Sequence, residues 1–470
     1  MNTINLFSLL SLLPIFYPLA HLYKKDDLNL WDFLLLFSVF FFTVLPFIYG
    51  SLISFESEIV FKVSVVLFIF QYLLFIIDYN FRKSHGNEFR LLNVCYYLRH
   101  IKQMRINFLG KLLIAVGLVA SVVFYLPRMS LAVRLEESGM NFNYTESSIA
   151  MAMTSVVSII GVILTMVTLT NLKHLKNDKF LIILDIIYMG LMFFMPRRML
   201  VFAILEFIIV FYAIHREKIN KRLFLYGTIL TLGFIFLYFP FYNVLRLNKV
   251  NFNSRHPIES LAAVVNYGMK NYSLLQSKAS QSTDERTLGL YQALYNLFHN
   301  CTEWGNGSLT VAAIDGAIPR VINHGKGKGT EPILEKMSGA YNDQADSILL
   351  EACGDFGSLG SVYAILLFYF LFWLYEKYSY FYYKVFRSYL VPTFLMFELL
   401  SITWNIEGNF GGRISFIFSS IFSIILLLII ERYQIIVIKR RHFIKVTKNI
   451  KNIKVEEIKS AENENSISLS

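Results

Sequence analysis

Long apolar runs recur along this 470-residue chain from Ile4 to Ile430, and a single long polar stretch, residues 243–355, separates them into two groups. Hydrophobic residues make up 55% of the sequence and charged residues 16%, and the mean hydropathy is +0.51. A soluble domain of this composition would carry more apolar surface than it could bury. The sequence therefore predicts that most of its helices lie in a lipid bilayer.

The apolar runs have the length of membrane-spanning helices, for which about 20 mostly apolar residues are needed. The predicted fold class is an all-α polytopic membrane protein with about eleven transmembrane helices and one large external loop. The sixth and seventh predicted spans are separated only by Pro196-Arg197-Arg198 and are interpreted as a hairpin. The predicted spans are 4–22, 31–53, 59–77, 108–125, 150–170, 180–195, 199–214, 223–242, 356–375, 389–404 and 414–430.

The distribution of lysine and arginine predicts the orientation of these spans. One side of the predicted topology carries 27 of the 44 cationic residues, and ten of the 15 on the other side lie in the long loop. Short basic loops stay in the cytoplasm, whereas long loops do not follow this rule. The N-terminus and the long loop are therefore predicted to be external. Attraction to anionic lipid accounts for the net charge of +11, and no basic domain indicates nucleic-acid binding.

Four regions follow from this topology: 1–242 with transmembrane helices 1–8, 243–355 as the external loop, 356–430 with helices 9–11, and 431–470 as a basic cytoplasmic tail. Apolar residues recur at helical spacing at 261–268 and 291–298. These two segments predict short helices in the loop that pack on the membrane helices. Gly305-Asn306-Gly307 predicts a turn that follows the second segment.

The three cysteines give little indication of a disulfide framework or a metal site. Cys95 is predicted to be cytoplasmic, while Cys301 and Cys353 are predicted to be external and either form one disulfide or remain free thiols. The sequence has no Cys-x-x-Cys pair and no histidine at metal-ligand spacing from a cysteine. No metal and no cofactor are predicted.

Six arginines are predicted to lie around the external mouth of the helix bundle, on the side where topology does not favour positive charge. A guanidinium binds phosphate through two parallel hydrogen bonds, so such a cluster suits a lipid pyrophosphate. Alternatively, each arginine extends to lipid phosphate or pairs with a nearby carboxylate. The six are Arg197, Arg198, Arg246, Arg255, Arg320 and Arg413.

Carboxylates on the same predicted face are candidates for a general base. If residues 343–351 were helical, Asp343, Asp346 and Glu351 would share roughly one face. A partly desolvated carboxylate there could deprotonate a sugar hydroxyl, or it could balance the arginines. His324 opens the segment His-Gly-Lys-Gly-Lys-Gly, which suits contact with an anion or forms a surface turn. The catalytic candidates are Glu351, Asp346 and His324.

The chain resembles the Wzy-type O-antigen polymerases of bacterial envelopes. The resemblance lies in Arg197-Arg198 at an external helix end, Asp315-Gly-Ala-Ile-Pro319 in the long loop, and a motif that leads into a span. That motif is Asp346-Ser-x-x-x-Glu351-x-x-x-Asp355-Phe-Gly-x-x-Gly360. The likeness covers the whole topology, and its motifs are short.

The resemblance implies a type C glycosyltransferase fold without metal in the bacterial inner membrane. Such an enzyme joins undecaprenyl-pyrophosphate-linked oligosaccharide repeat units into an O-antigen or capsule, with a lipid-linked glycan as donor and another as acceptor. A chain-length regulator would be a further protein partner. The alternatives are a ligase that transfers the glycan to the lipid A core of lipopolysaccharide, and a flippase or transporter for the lipid-linked oligosaccharide.

The predicted orientation can be tested with a reporter enzyme that is active only outside the cytoplasm. We expect activity from a fusion after Gly305 and none from a fusion after Lys179, because the cationic residues are concentrated on the opposite side from the long loop. Reversal of activity at either position would contradict the orientation.

Overall fold

The computed structural model describes part of the chain, and every structural statement below concerns that part. It covers residues 5–24, 29–44, 46–47, 56–85, 179–194, 257–271, 289–318, 329–339, 347–404, 408–421 and 423–432, together with residue 161 and isolated positions between 108 and 119. Helices and their connecting turns account for these residues, and no β-strand occurs among them. The predicted all-α class is confirmed for this part of the chain.

The helices are numbered in chain order. They are α1 (Leu6–Leu10), α2 (Phe16–Lys24), α3 (Leu30–Val39), α4 (Ser57–His85), α5 (Lys179–Phe194), α6 (Pro257–Lys270), α7 (Gly289–Asn300), α8 (Ser308–Ala317), α9 (Glu331–Ser338), α10 (Ile348–Phe356), α11 (Gly360–Phe386), α12 (Leu390–Trp404), α13 (Phe410–Ser419) and α14 (Ser423–Arg432). Helix α3 continues into a π-helical turn at Phe40–Val44, and 3₁₀ turns occupy Leu13–Ile15 and Gly357–Leu359.

Two of these helical stretches are long and apolar enough to cross a membrane. They are Ser57–Lys83, with 27 residues, and Ile348–Phe386, with 39 residues. A third candidate forms if Phe410–Ser419 and Ser423–Arg432, bent by 45°, count as a single span. At 1.5 Å per residue, 27 residues extend about 40 Å, more than the hydrocarbon thickness of a bilayer. These features are those of a membrane protein.

Several sequence-based span predictions coincide with helices of the structure. Predicted spans 59–77, 180–195 and 389–404 correspond to α4, α5 and α12. The predicted spans 199–214 and 223–242 lie outside the described residues. The candidate span at Ile348–Phe386 begins within the segment that the sequence assigns to the external loop, because Ser347 caps a helix there.

The apolar core lies where α3, α4, α11 and α12 pack against one another. Trp31 of α3 meets Phe372 of α11 edge to face, with ring centroids 4.6 Å apart. The opposite face of α11 leaves Tyr369, Phe370 and Trp373 exposed. Large apolar side chains on an outward face suit contact with lipid.

Helices of the predicted external loop pack onto this core. Helix α7 covers the predicted helical segment 291–298 and lies against α4. The Glu56 amide donates to the Tyr295 hydroxyl at 3.1 Å, and His299 Nε2 lies 3.3 Å from Glu56 Oε1. The hydrogen bonds to Asn300 and Glu56 raise the pKa of His299 above its ordinary value. The predicted helices at 261–268 and 291–298 are both confirmed as helical.

Both cysteines in the described region are free thiols. Cys353 is buried in α10, whereas Cys301 is half-buried, and its thiol donates to the Glu303 carbonyl at 3.1 Å. Burial raises the pKa of the Cys301 thiol. Of the two alternatives for this pair, the structure has the free thiols. Cys95 lies outside the described residues.

Candidate active site

Helix α10 carries one of the carboxylates that the sequence selected, Glu351. The Ser347 hydroxyl accepts the Leu350 amide at 3.0 Å and caps the helix. Because Ser347 is extended and α10 begins at Ile348, a single helix does not run from 343 to 351, and Asp343 and Asp346 lie outside the described residues. The two carboxylates within α10, Glu351 and Asp355, lie one turn apart and are buried.

Asp355 caps helix α8. Its Oδ1 accepts the Leu309 amide at 2.9 Å, and its Oδ2 accepts the amide and the hydroxyl of Thr310 at 3.0 and 2.7 Å. The Tyr363 hydroxyl of α11 donates to the Thr310 hydroxyl at 3.0 Å. A carboxylate at this position satisfies N–H groups that have no partner within their own helix and opposes the positive end of the helix dipole.

The turn before α8 is bound to the end of α10 as well. The amides of Gly305 and Asn306 donate to the carbonyls of Gly354 and Asp355, each at 2.9 Å. Gly307 has φ +93, a left-handed conformation that glycine adopts without strain. The turn predicted at residues 305–307 is thereby confirmed, and it positions the first turn of α8 over Asp355.

Glu351 caps a different helix. Its Oε2 accepts the Phe410 amide at 2.9 Å, across 59 residues of sequence, at the start of α13. The Asn409 side chain accepts the Gly412 amide at 2.6 Å and caps the same helix. Glu351 is only 1% exposed. Two carboxylates one turn apart on α10 therefore hold the N-termini of two other helices, α8 and α13.

Helices α8 and α13 also contact each other. A Cβ atom on Gly411 would lie 3.0 Å from the carbonyl carbon of Ala313 and closer still to its oxygen. The backbones can approach this closely only because residue 411 has no side chain. We call the group formed by α10, α8 and the first turn of α13 the carboxylate clasp. It joins a helix of the predicted external loop to the last predicted membrane helix.

Arg413 lies in the first turn of α13 and is 9% exposed. Its Nη1 lies 3.4 Å from Glu398 Oε1 and 3.3 Å from the Ser401 hydroxyl, both on α12. The Tyr375 hydroxyl donates to the Arg413 carbonyl at 2.9 Å. The guanidinium packs against Gly408, where a Cβ atom would collide with it. Arg413 therefore has a carboxylate partner within the helix bundle, Glu398, whose side chain is 18% exposed.

Two predicted site residues are placed at the N-terminal turn of α13: Glu351 accepts the Phe410 amide, and Arg413 lies in the turn itself. The other predicted catalytic residues, Asp346 and His324, and the predicted pyrophosphate ligands Arg197, Arg198, Arg246, Arg255 and Arg320 lie outside the described residues. Sequence reasoning did not assign Glu398 as the partner of Arg413. The sequence did contain a signal for this pair, because Glu398 lies in an apolar run, where a carboxylate needs a cationic or hydrogen-bonding partner.

No group of three or more histidine, cysteine, aspartate or glutamate side chains in the part of the chain that the structure describes is arranged to hold a metal ion.

No family model matches the sequence, and neither a curated protein nor a solved structure matches it significantly.

The pair Arg413–Glu398 can be tested by a double-mutant cycle. Arg413→Gln or Glu398→Gln alone should lower the free energy of unfolding by about 3–5 kcal/mol, because each leaves a buried charge without its partner. The double variant should lose less than the sum of the two. Denaturant unfolding in detergent measures all three, with Lys336→Gln, an exposed position in α9, as the control. Strictly additive losses would show that the two charges do not interact.

Proposed function

We propose that the protein is a polymerase that joins undecaprenyl-pyrophosphate-linked oligosaccharide repeat units into a surface polysaccharide, by glycosyl transfer at the outer face of the bacterial inner membrane. The proposal rests on the resemblance to Wzy-type polymerases. The observation that supports it most directly is that the first turn of α13 contains Arg413 and has its Phe410 amide bound by Glu351. A potential base and a guanidinium are the two groups that such a transfer needs.

The chemistry is an inverting displacement at a sugar carbon. The hydroxyl oxygen of the acceptor sugar attacks the anomeric carbon of the donor glycan, and the bond from that carbon to the pyrophosphate oxygen breaks. The bonding electron pair leaves with undecaprenyl pyrophosphate, and the proton of the attacking hydroxyl passes to a general base. The proposed bases are Glu351, Asp346 and His324. No metal takes part in the proposed reaction.

Arginines would stabilise the pyrophosphate as its negative charge develops. A guanidinium offers two parallel N–H donors to a phosphate, and it stays charged at any working pH. Arg413 already contacts Glu398 and Ser401, which fixes the side chain in one position. In the proposal, Arg197, Arg198, Arg246, Arg255 and Arg320 supply the other donors around the external mouth of the bundle.

The two hypotheses for Glu351 differ in what a glutamine would do. As a cap, Glu351 accepts the Phe410 amide, and the amide oxygen of glutamine supplies an acceptor for the same hydrogen bond. As a base, Glu351 must accept a proton, which glutamine does not do at neutral pH. The substitution Glu351→Gln therefore separates the structural role from the catalytic one.

Glu431 provides a matched control for this test. It is a buried glutamate that accepts the amides of Tyr389 and Leu390 at 2.7 and 3.4 Å and bonds the Ser388 hydroxyl, at the start of α12. It resembles Glu351 in burial and in its capping contacts. Glu431→Gln should therefore reproduce any loss that comes from weakening a cap alone.

The test is the surface glycan of a strain whose chromosomal gene is replaced by each variant. If Glu351 is the base, Glu351→Gln should lower the rate of polymerisation by about 10²–10⁴-fold and reduce the glycan ladder to single repeat units, with normal protein level. Glu431→Gln should keep the ladder. The ladder is read on a gel, and the protein level by immunoblot.

Other outcomes separate the alternatives. A normal ladder in Glu351→Gln would show that this carboxylate is only a cap and would leave Asp346 and His324 as the proposed bases. In a strain that lacks the gene, loss of all external repeat units would favour a flippase. Long polymer that stays on undecaprenyl pyrophosphate and is not transferred to lipid A core would favour a ligase. Either result with the deletion strain would contradict the polymerase proposal.

A further inference from the structure

A second buried polar cluster lies far from α10 in sequence, where α2, the start of α3 and the end of α4 meet. Its carboxylates are Asp32 of α3 and Asp78 of α4, which are 2% and 0% exposed. Arg82 follows Asp78 by one helical turn. The polymerase proposal makes no use of these residues.

Asn29 and Arg82 connect the two carboxylates. The Asn29 amide donates to Asp32 Oδ2 at 2.8 Å, and its side-chain amide donates to Asp78 Oδ1 at 2.7 Å. Asn29 and Asp32 cap α3 reciprocally. Arg82 Nη2 bonds Asp32 Oδ2, and Arg82 Nε lies 3.5 Å from Asp78 Oδ1. One oxygen of each carboxyl group therefore has its donors.

The second oxygen of each carboxyl group has a different environment. Asp32 Oδ1 and Asp78 Oδ2 are both buried, and no donor among the described residues bonds to either. Asn29 and Arg82 each contact both carboxyl groups and hold them side by side. Two ionised carboxylates have only acceptor oxygens, so one of these buried oxygens can become a donor only when the pair binds a proton.

The charge balance leads to the same requirement. Two ionised aspartates and one arginine would leave one negative charge buried without a partner, which is costly in an apolar interior. Among the described residues, the other titratable groups that face the pair are Tyr17 and His21 of α2, and Tyr79 of α4 contacts Tyr17. Helix α11 meets α3 at this end through the apolar contact of Trp31 with Phe372. One bound proton makes the aspartate–arginine group neutral.

We infer that Asp32 and Asp78 form a proton-binding site, in which one proton is shared between the two carboxyl groups while Arg82 and Asn29 hold them together. The site takes its proton from water and releases it to water, so that no other reactant is needed. By the predicted topology it lies on the cytoplasmic side of the membrane. The packing of α2, α3 and α4 then depends on the protonation of this pair.

Infrared spectroscopy of the purified protein tests the site, because a protonated carboxyl group has a C=O stretch distinct from that of a carboxylate. The wild-type protein should show this band at neutral pH. The band should be absent from the spectrum of Asp32→Asn and from that of Asp78→Asn. Each asparagine takes the place of the protonated partner and leaves one aspartate paired with Arg82. Glu303→Gln, an exposed position, is the control that should leave the band unchanged.

Stability measurements give a second, independent reading. As the pH rises through the range in which the band disappears, the midpoint of wild-type unfolding should decrease, since two ionised carboxylates then face one arginine. The single asparagine variants should show no fall in that range, and Asp32→Asn/Asp78→Asn should be less stable than either, because Arg82 loses both partners. If one single variant does not fold, the other still tests the pair, because Asp32 lies on α3 and Asp78 lies on α4.

Two results would overturn the inference. One is a wild-type protein without a protonated carboxyl band at neutral pH, or with a band that both single variants retain. The other is a wild-type unfolding midpoint that rises with Na⁺ but not with choline at constant ionic strength, which would assign a bound metal cation in place of the proton. Neither result depends on the folding of the double variant.

Discussion

The N-terminus of a helix carries N–H groups that have no partner within the helix, and in a buried setting water cannot satisfy them. Among the helices that the structure describes, three have this requirement met by acidic side chains from elsewhere in the chain. Asp355 caps α8, Glu351 caps α13 and Glu431 caps α12. Each carboxylate also opposes the positive end of a helix dipole, so that a buried charge and a buried helix end stabilise each other.

The position of these carboxylates determines how the parts of the protein connect. Glu351 and Asp355 are one turn apart on α10, so the two helices that they cap must lie beside each other. Gly411 permits this close approach to Ala313. The result is a rigid junction between a helix of the predicted external loop and the last predicted span. If the polymerase proposal is correct, the reaction takes place beside this junction, where substrates that remain anchored in the membrane can meet.

The sequence predicted the local elements and did not predict their partners. Apolar runs long enough for a helix correspond to α4, α5 and α12, and helical spacing of apolar residues located α6 and α7. Glu351 was selected as a candidate base on the predicted external face, and Arg413 as one of six arginines around the predicted external mouth. Their partners Phe410 and Glu398 were not, because the contact of Glu351 with Phe410 joins positions 59 residues apart and no local pattern encodes it. Asp32 and Asp78 were missed for the same reason, since only the packing of α3 on α4 brings them together.

The central claim is that the carboxylate clasp, through Glu351 and Asp355, holds two separate helix ends. Hydrogen exchange of individual backbone amides tests this most directly, because an amide that loses its acceptor exchanges faster. Asp355→Ala should accelerate exchange at Leu309 and Thr310 and leave Phe410 protected, whereas Glu351→Ala should accelerate exchange at Phe410 and leave α8 protected. Unchanged exchange at these amides, or the same acceleration across both helices in both variants, would contradict the account.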